Sequence, residues 1–405
     1  MRLLLVTDAY PPEIRSSSHL MVELAEELRD RGHEVHVLTS WPRYNLDAAA
    51  QHLRFEESME ENGIHVIRVK TPAHHNVGFI RRGLAQLQMP IYFLAALRKH
   101  MPGHPDCAIV YTPPLPLAIV GRRLRAHGVR FVLNVQDIFP QNAIDLGVLT
   151  NPLLIQFFHW MERRAYRDAD VVTVHSEGNR DFVLRQHHEL SEKLTVLHNW
   201  IDAESHGERT VRRNFRSEWN LSSKFVFLFA GVIGPSQALE LILDAALKLR
   251  DSPEILFLLV GDGTEKVKLE ERARTEGIEN VVFKPFVSRA DYPDLVSAAD
   301  VGLVCLSSMN KTPVVPGKIL GYMAGGKPIA AFLNTQSDGH AIIQDAQCGY
   351  SCTSDSPAEI EAALRRLYAE RAQTPQMGAR GAAYVRRHFS KDVLVGQLES
   401  LAAGG

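Results

Sequence analysis

The chain has 405 residues, 45% hydrophobic and 23% charged, with 45 Lys plus Arg against 47 Asp plus Glu and a formal net charge of -2. That balance excludes a general nucleic-acid binder, which needs bulk positive charge to neutralise phosphates, and the length points to two domains. Cys107, Cys305, Cys348 and Cys352 are too scattered for a zinc ribbon or a disulfide scaffold and read as small buried hydrophobes of a reducing cytosol.

The opening MRLLLVTDAYPPE holds too short an apolar run for a signal peptide. No stretch supplies about eighteen uninterrupted apolar residues, so no segment is expected to span a bilayer. LLLVT (3–7) reads as a buried strand and HLMVELAEELRDR as a helix with Leu20, Leu24, Ala25 and Leu28 on one face. EVHVLTS then returns as a strand, completing a βαβ unit. AIVYT (108–112), RFVLNV (130–135) and DVVTVHS (170–176) continue a parallel sheet covered on both faces. After LTVLHNWID (194–202) a polar linker follows, and the pattern restarts with KFVFLFAG (224–231), SQALELILDAALKLR and EILFLLVGDG (254–263). NVVFKPF, DVGLVCL (300–306) and PIAAF (328–332) are further strands, and the last thirty or so residues read as helices. Two doubly wound domains are expected, with the boundary near residue 203 and a cleft where the strands end.

The strand-to-helix loops are therefore where chemistry is sought. DAYPPEIRSSS contains no glycine, and Lys266 stands where VGDGTEK would need its third glycine, so the dinucleotide fingerprint is absent. In FAGVIGPSQALE, Gly231 and Gly234 end a strand and Ser236 is placed to cap the next helix. Such a turn either admits a ligand closely or is a plain tight turn. KTPVVPGKILGYMAGGKPIAAF puts Lys318 in the first turn of a helix after Pro316 and Gly317. A cation at the positive end of a helix dipole is unfavourable alone, and a bound phosphate reverses the sign.

The set PPE, ELAEELRDRGHEVHVLT, NVQDIFPQNAIDLG, HNWID, FAGVIG, LLVGDG, NVVFKPF, VPGKILGYMAGGKPIAA and CGY, in this order and spacing, resembles the GT-B glycosyltransferases of family 4. The resemblance covers nearly the whole chain and is nearest to a subgroup that adds N-acetylated aminosugars during bacterial surface-polysaccharide assembly. It implies two Rossmann-like domains facing across a cleft: 1–202 for the acceptor, 203–375 for the nucleotide-sugar, and helices over 376–405 packing back toward the first domain. It implies retaining transfer without a bound metal or other cofactor. Gly231, Ile233, Gly234 and Gln237 would approach the donor phosphates with Pro316, Gly317, Lys318 and Ile319. Gly261 and Asp262 would line the nucleoside pocket, with Phe286 and Val287 near the base. Gln136 and Asp137 would lie beside the transferred sugar, and Asn199 matches the junction asparagine. The chain departs from the family at three places: Pro313 and Gly321 stand where two glutamates are usual, Gln237 where the phosphate loop usually has a basic residue, and Arg15, Ser16, Ser17 and Ser18 where the first loop usually has glycines.

Between Glu61 and Asp137 the only acid is Asp106, against ten Lys or Arg, a local charge of +9. Apolar residues including Tyr92 and Phe93 lie among Arg81, Arg82 and Arg98. Such a stretch suits an anionic membrane surface, and the alternative is a core helix with a solvated basic face. Trp41, Trp160 and Trp219 are expected to be packing residues, with Trp200 at the junction.

Together these readings describe a cytoplasmic enzyme, peripheral at the inner face of the cell membrane. It would move a sugar from a nucleotide donor, UDP-linked, to a lipid-linked or saccharide acceptor. The alternatives are a pseudo-glycosyltransferase that binds without transfer, motivated by the missing carboxylates, and an epimerase on the same fold.

Overall fold

The computed structural model describes residues 1–404 apart from 44, 45, 47–53, 75, 76, 203–211 and 289. The chain forms two compact units, one of Met1–Asn199 joined by the residues from Asp392 onward, the other of Trp200–Lys391. The expected boundary at 202/203 adjoins residues 203–211, the first part of the expected linker, which lie outside the described residues.

The first unit runs β1 (Arg2–Val6), α1 (Ser16–Asp30), β2 (Glu34–Ser40), β3 (Ser58–Glu61), β4 (Ile64–Val69) and α2 (Phe79–His100). It continues through β5 (Cys107–Thr112), α3 (Ala118–Arg125), β6 (Arg130–Val135), α4 (Gln141–Asp145), α5 (Pro152–Asp168), β7 (Val171–Val174), α6 (Glu177–Gln186) and β8 (Leu194–Val196). The strand order is β3-β4-β2-β1-β5-β6-β7-β8, and every pairing is parallel except β3 with β4. The runs read as strands from their continuous apolar character are buried on both faces, as crossover helices require. On one face Met89 and Phe93 of α2, Leu124 of α3 and Met161, Ala165 and Tyr166 of α5 share a core with Leu4, Val110 and Leu133 of the strands. Local signals set the helix starts. Asn151 accepts from the Leu153 and Leu154 amides at 3.0 and 3.2 Å, with Pro152 opening α5. Ser176 accepts from Asn179 at the start of α6.

The second unit runs α7 (Phe215–Glu218), β9 (Phe225–Ala230), α8 (Glu240–Lys248), β10 (Ile255–Val260), α9 (Lys266–Thr275), β11 (Val281–Lys284), α10 (Tyr292–Ala298) and β12 (Val301–Cys305). It ends with α11 (Gly317–Ala324), β13 (Ile329–Leu333), α12 (Gly339–Asp345), β14 (Gly349–Thr353), α13 (Pro357–Ala369) and α14 (Thr374–His388). Its order β11-β10-β9-β12-β13-β14 is that of the doubly wound nucleotide-binding fold, 3-2-1-4-5-6 when counted from β9. Alternate residues of β9 enter two cores: Val226, Leu228 and Ala230 on one face, Phe225, Phe227 and Phe229 on the other. Ser236 caps nothing. It lies in a tight 3-10 turn, and α8 begins later, at Glu240, with Leu239 at its cap position.

The stretch expected as one helical tail divides between the units. Helix α14 stays in the second, packed on α11. Helix α15 (Lys391–Ala403) joins the first: Glu399 pairs with Arg31 at 3.2 Å and with His33 at 2.8 Å, Gln397 donates to the Val196 carbonyl, and Arg130 donates to that of Leu401.

Candidate active site

In doubly wound sheets ligands bind where the strand order reverses, beyond the carboxyl ends. In the second unit that point lies between β9 and β12. The loop after β9 carries Gly231–Gln237, the loop after β12 leads to α11, and the two are tied by the Ser307 amide donating to the Ser236 carbonyl at 2.8 Å. Helix α11 opens on Pro316 with no side-chain cap, so its first amides have no acceptor within the helix. The Ile319 amide turns back to the Pro316 carbonyl at 2.9 Å. Lys318 is half-buried and passes directly over Gly231, with its ammonium 4.9 Å from the Phe229 ring centroid. Desolvation lowers its pKa, and no carboxylate pairs with it among the described residues. A desolvated cation, held over an aromatic face, and uncapped amides converge on one spot, and an anion placed there satisfies the cation and the amides.

The remaining donor residues have more structural roles than the sequence suggested. Loops after β9, β10 and β11 are laced edge to edge. Gly231 donates to Val260, Ile233 to the Asp262 carbonyl, Gly261 to Lys284, and Glu265 to the Ile233 carbonyl. Gly261 has φ +150 and a Cβ on it would stand 1.8 Å from the Gly231 oxygen, so glycine is required by backbone contact alone. Ile233 and Ile319 were expected to meet the donor. Their side chains are fully buried in the core, because each follows a loop residue that must anchor its helix or turn to the sheet. Gln237 accepts from the Gly234 amide at 3.2 Å, and Asp262 from the Gly263 amide at 2.8 Å. Phe286 is half-buried, and Val287 packs against the core. Beside Gly321, where the family glutamate is missing, the Tyr292 hydroxyl stands 3.2 Å from the position of a Cβ.

In the first unit the order reverses between β1 and β5. Asp8, only 2% exposed, lies two residues beyond β1 and pairs with Arg15 at 2.8 Å; Glu13 lies 4.0 Å from the same guanidinium. Burial, then the carboxylates of Asp137 and Asp8, push the phenol of neighbouring Tyr111 well up. Asp137 is exposed. Gln136 is buried with both ends of its amide engaged: it donates to Asn134 at 2.6 Å and accepts from Asn199 at 2.7 Å. The structure thus brings Gln136 and Asn199 together and casts Gln136 as the residue that positions Asn199. The buried cluster of Asp8, Arg15 and Tyr111 was not expected from the sequence, although an aspartate closing the buried run that begins in β1 was a usable signal. Among the described residues no three His, Cys, Asp or Glu side chains are grouped to hold a metal ion.

The basic stretch needs correction. Arg68 is buried against Glu61, Lys70 and Lys99 reach Glu57, and Arg122 and Arg125 pair with Asp168 and Asp170. Half of the ten cations are therefore paired with acids outside the stretch, Lys70 and Lys99 sharing one carboxylate. Arg81, Arg82 and Arg98 are exposed and form no ion pair among the described residues, and Tyr92 is exposed beside them. Phe93 is not available to a membrane: one residue on from Tyr92 it has turned through about 100° into the core and is fully buried. No helix is long and apolar enough to cross a membrane among the described residues.

Comparison with known proteins agrees with this architecture. A glycosyl transferase 4-like domain matches residues 19–200, and a glycosyl transferases group 1 domain matches residues 224–370. The Escherichia coli (strain K12) protein WcaI, named for a glycosyl transferase of colanic acid biosynthesis, is 27% identical over 335 residues, 80% of this chain and 82% of its own. The sucrose-phosphate synthase structure from Thermosynechococcus elongatus superposes with a TM-score of 0.78 at 15% identity, over 100% of this chain and 98% of that one. The Anabaena protein HepE, solved in complex with UDP-glucose, superposes with a TM-score of 0.73 at 18% identity over the whole of both chains. With one glycosyltransferase domain matched on each unit and the same two-unit fold throughout, this chain belongs to the GT-B glycosyltransferases of family 4.

Proposed function

We propose that the chain transfers a sugar of the N-acetylated hexosamine type, with retention of configuration, from a UDP-linked donor to a hydroxyl of a lipid-linked saccharide. The observation that carries the reading is Lys318, a desolvated cation without a carboxylate partner among the described residues, set at the uncapped start of α11 over Gly231. The diphosphate would sit there, its charge met by the Lys318 ammonium and the first amides of the helix. As the bond from the anomeric carbon to the phosphate oxygen breaks, its electron pair passes to the leaving diphosphate, where these preorganised donors stabilise it. The acceptor oxygen bonds to the same face of the sugar, and its proton goes to the departing phosphate oxygen. This route needs no enzymic nucleophile, and Lys318 with the helix start supplies the charge that a metal would otherwise supply. Asp137, exposed at the end of β6, would meet the sugar or acceptor. HepE, solved with UDP-glucose, and WcaI, named for colanic acid biosynthesis, support the donor and the pathway type. Arg81, Arg82 and Arg98, exposed and without an ion pair among the described residues, support with Tyr92 a first unit that meets an anionic membrane.

The test is a thermal-shift screen over nucleotides and nucleotide-sugars, followed by transfer from the best donor to a lipid-linked acceptor. Stabilisation by UDP and its sugars together with product formation is the expected result. Stabilisation without product would favour a binding partner of the same fold, and stabilisation by GDP alone would overturn the donor assignment.

A further inference from the structure

Helix α5 carries a cluster of large apolar side chains at the surface, including two aromatics, where α2 of the same layer exposes Leu84, Ile91 and Tyr92. Leu153 is 76% exposed and Trp160 54%, and Leu154 and Phe157 are exposed with them. Positions 153, 157 and 160 recur at the helical period and lie on one face. The adjoining side of the helix, with Met161, Ala165 and Tyr166, is in the core. Phe157 stacks on Trp160 with ring centroids 6.1 Å apart, and Phe158, held edge-on by Phe139 at 5.0 Å, braces Phe157 from behind. The result is a rigid apolar ledge over the first half of a 17-residue helix.

The second half is basic. Trp160, Arg163, Arg164, Arg167 and Lys193 line a cavity of about 290 Å³ with Leu190 and one acid, Glu189. Arg163 and Arg167 form no ion pair among the described residues, whereas Arg164 is taken by Asp168. Helix α3 packs between α5 and α2, so all three lie in one layer on the same face of the sheet. Neither α2 nor α3 contains an acidic residue, and the two in α5 are Glu162, buried, and Asp168, paired. An apolar ledge alone would suit a protein partner equally well. A ledge that runs into a cation-lined cavity, on a layer whose outer face carries no free acid, is complementary to acyl chains beside phosphate headgroups.

We propose that α5 is the element by which the first unit inserts into an anionic lipid surface: Leu153, Leu154, Phe157 and Trp160 enter the acyl boundary, and Arg163 and Arg167 hold lipid phosphate in the adjoining cavity. This deepens the membrane part of the functional reading and rests on it, while moving the apolar contact from α2 to α5.

The test uses the full chain with vesicles of phosphatidylcholine alone or mixed with phosphatidylglycerol. Wild type should sediment with the mixed vesicles, weaken as salt rises and keep a salt-resistant remainder. Leu153→Ser/Phe157→Ser/Trp160→Ser, which changes only exposed side chains, should lose that remainder and bind about tenfold less. Arg163→Glu/Arg167→Glu should lose the salt-sensitive part. Chains brominated in the acyl region should quench wild-type tryptophan fluorescence and leave Trp160→Phe unquenched. Unchanged binding of the apolar variant, or equal quenching of Trp160→Phe, overturns the proposal. If wild type ignores vesicles but is a dimer that the apolar variant dissociates, the face is a subunit interface and the proposal also falls. If α5 variants bind like wild type while Arg81→Glu/Arg82→Glu/Arg98→Glu does not, α5 is wrong and the membrane reading stands. Transfer to a lipid-free acceptor should survive in the apolar variant, so loss of transfer in wild type counts against the enzymic reading alone.

Discussion

Lys318 occupies the space that a side chain at position 231 would take: a Cβ on Gly231 would stand 2.7 Å from the Lys318 Cε and 3.0 Å from its Nζ. The glycine thus keeps open the path by which the only basic side chain of α11 reaches the loop after β9. Lys318→Ala should lower transfer by one to two orders of magnitude, since a charge-assisted contact is worth about 1.5–3 kcal/mol. Its melting temperature should be unchanged or slightly higher, because the deleted cation is desolvated. Full activity in this variant would remove the diphosphate assignment.

Gly231→Ala and Gly261→Ala separate access from architecture. Both positions have φ near +150, where an alanine is strained by roughly 1–3 kcal/mol. At 231 the added methyl meets the movable end of a lysine, so activity should fall further than stability. At 261 it meets the Gly231 carbonyl at 1.8 Å, backbone against backbone, and urea unfolding should show the larger loss. Equal stability losses in the two variants would contradict this account.

Metal dependence offers a direct check on how the leaving diphosphate is stabilised. If Lys318 and the start of α11 supply the charge, transfer continues in excess EDTA. Abolition by chelator with rescue by Mg²⁺ or Mn²⁺ would place the charge elsewhere.

Gln136 and Asp137 are neighbours in sequence with different expected phenotypes. Gln136→Ala deletes one buried and one partly buried hydrogen bond, and at about 1 kcal/mol each the variant should melt lower and lose the placement of Asn199. Asp137→Asn changes an exposed side chain and should reduce turnover with little change in melting temperature. Opposite phenotypes would exchange their roles.

His175 predicts an acid limit to stability. It is buried, and desolvation, aided by His198, pushes its pKa down to about 4 from the ordinary 6.5. Below pH 6.5 the unfolded chain takes up the proton and the folded chain does not. The contribution is therefore fully present above 6.5 and is lost progressively down to about pH 4, by up to about 3 kcal/mol. Urea midpoints at pH 7.5 and 5 should differ more in wild type than in His175→Gln.

Strands were the most legible part of the fold. EVHVLTS and RFVLNV coincide with β2 and β6 because a strand buried on both faces is rich in apolar and β-branched residues, visible without knowledge of its partners. Helices α2 and α5 were harder to read. Their apolar residues point outward as well as inward, which erases the helical period, and Trp160 was taken for a packing residue when its ring is at the surface. Charge was misread for a different reason: the ion pairs of Lys70 and Arg125 join residues distant in sequence, so a local sum overstates the exposed field. At the site Lys318 was readable from the helix start that follows Pro316. The roles of Gly261 and Gln136 were not, because each depends on a neighbour brought in by another strand.

The return of α15 to the first unit has a consequence for biosynthesis. The whole of Trp200–Lys391 is made between the body of that unit and the helix that completes it, an interval of roughly ten to forty seconds at ribosomal speed. Throughout it Arg31 and His33 lack Glu399, and the carbonyl of Val196 lacks Gln397. The nascent first unit therefore matures in two stages separated by the synthesis of the second. A chain stalled or cut before residue 392 leaves the first unit unfinished, however well the second has folded.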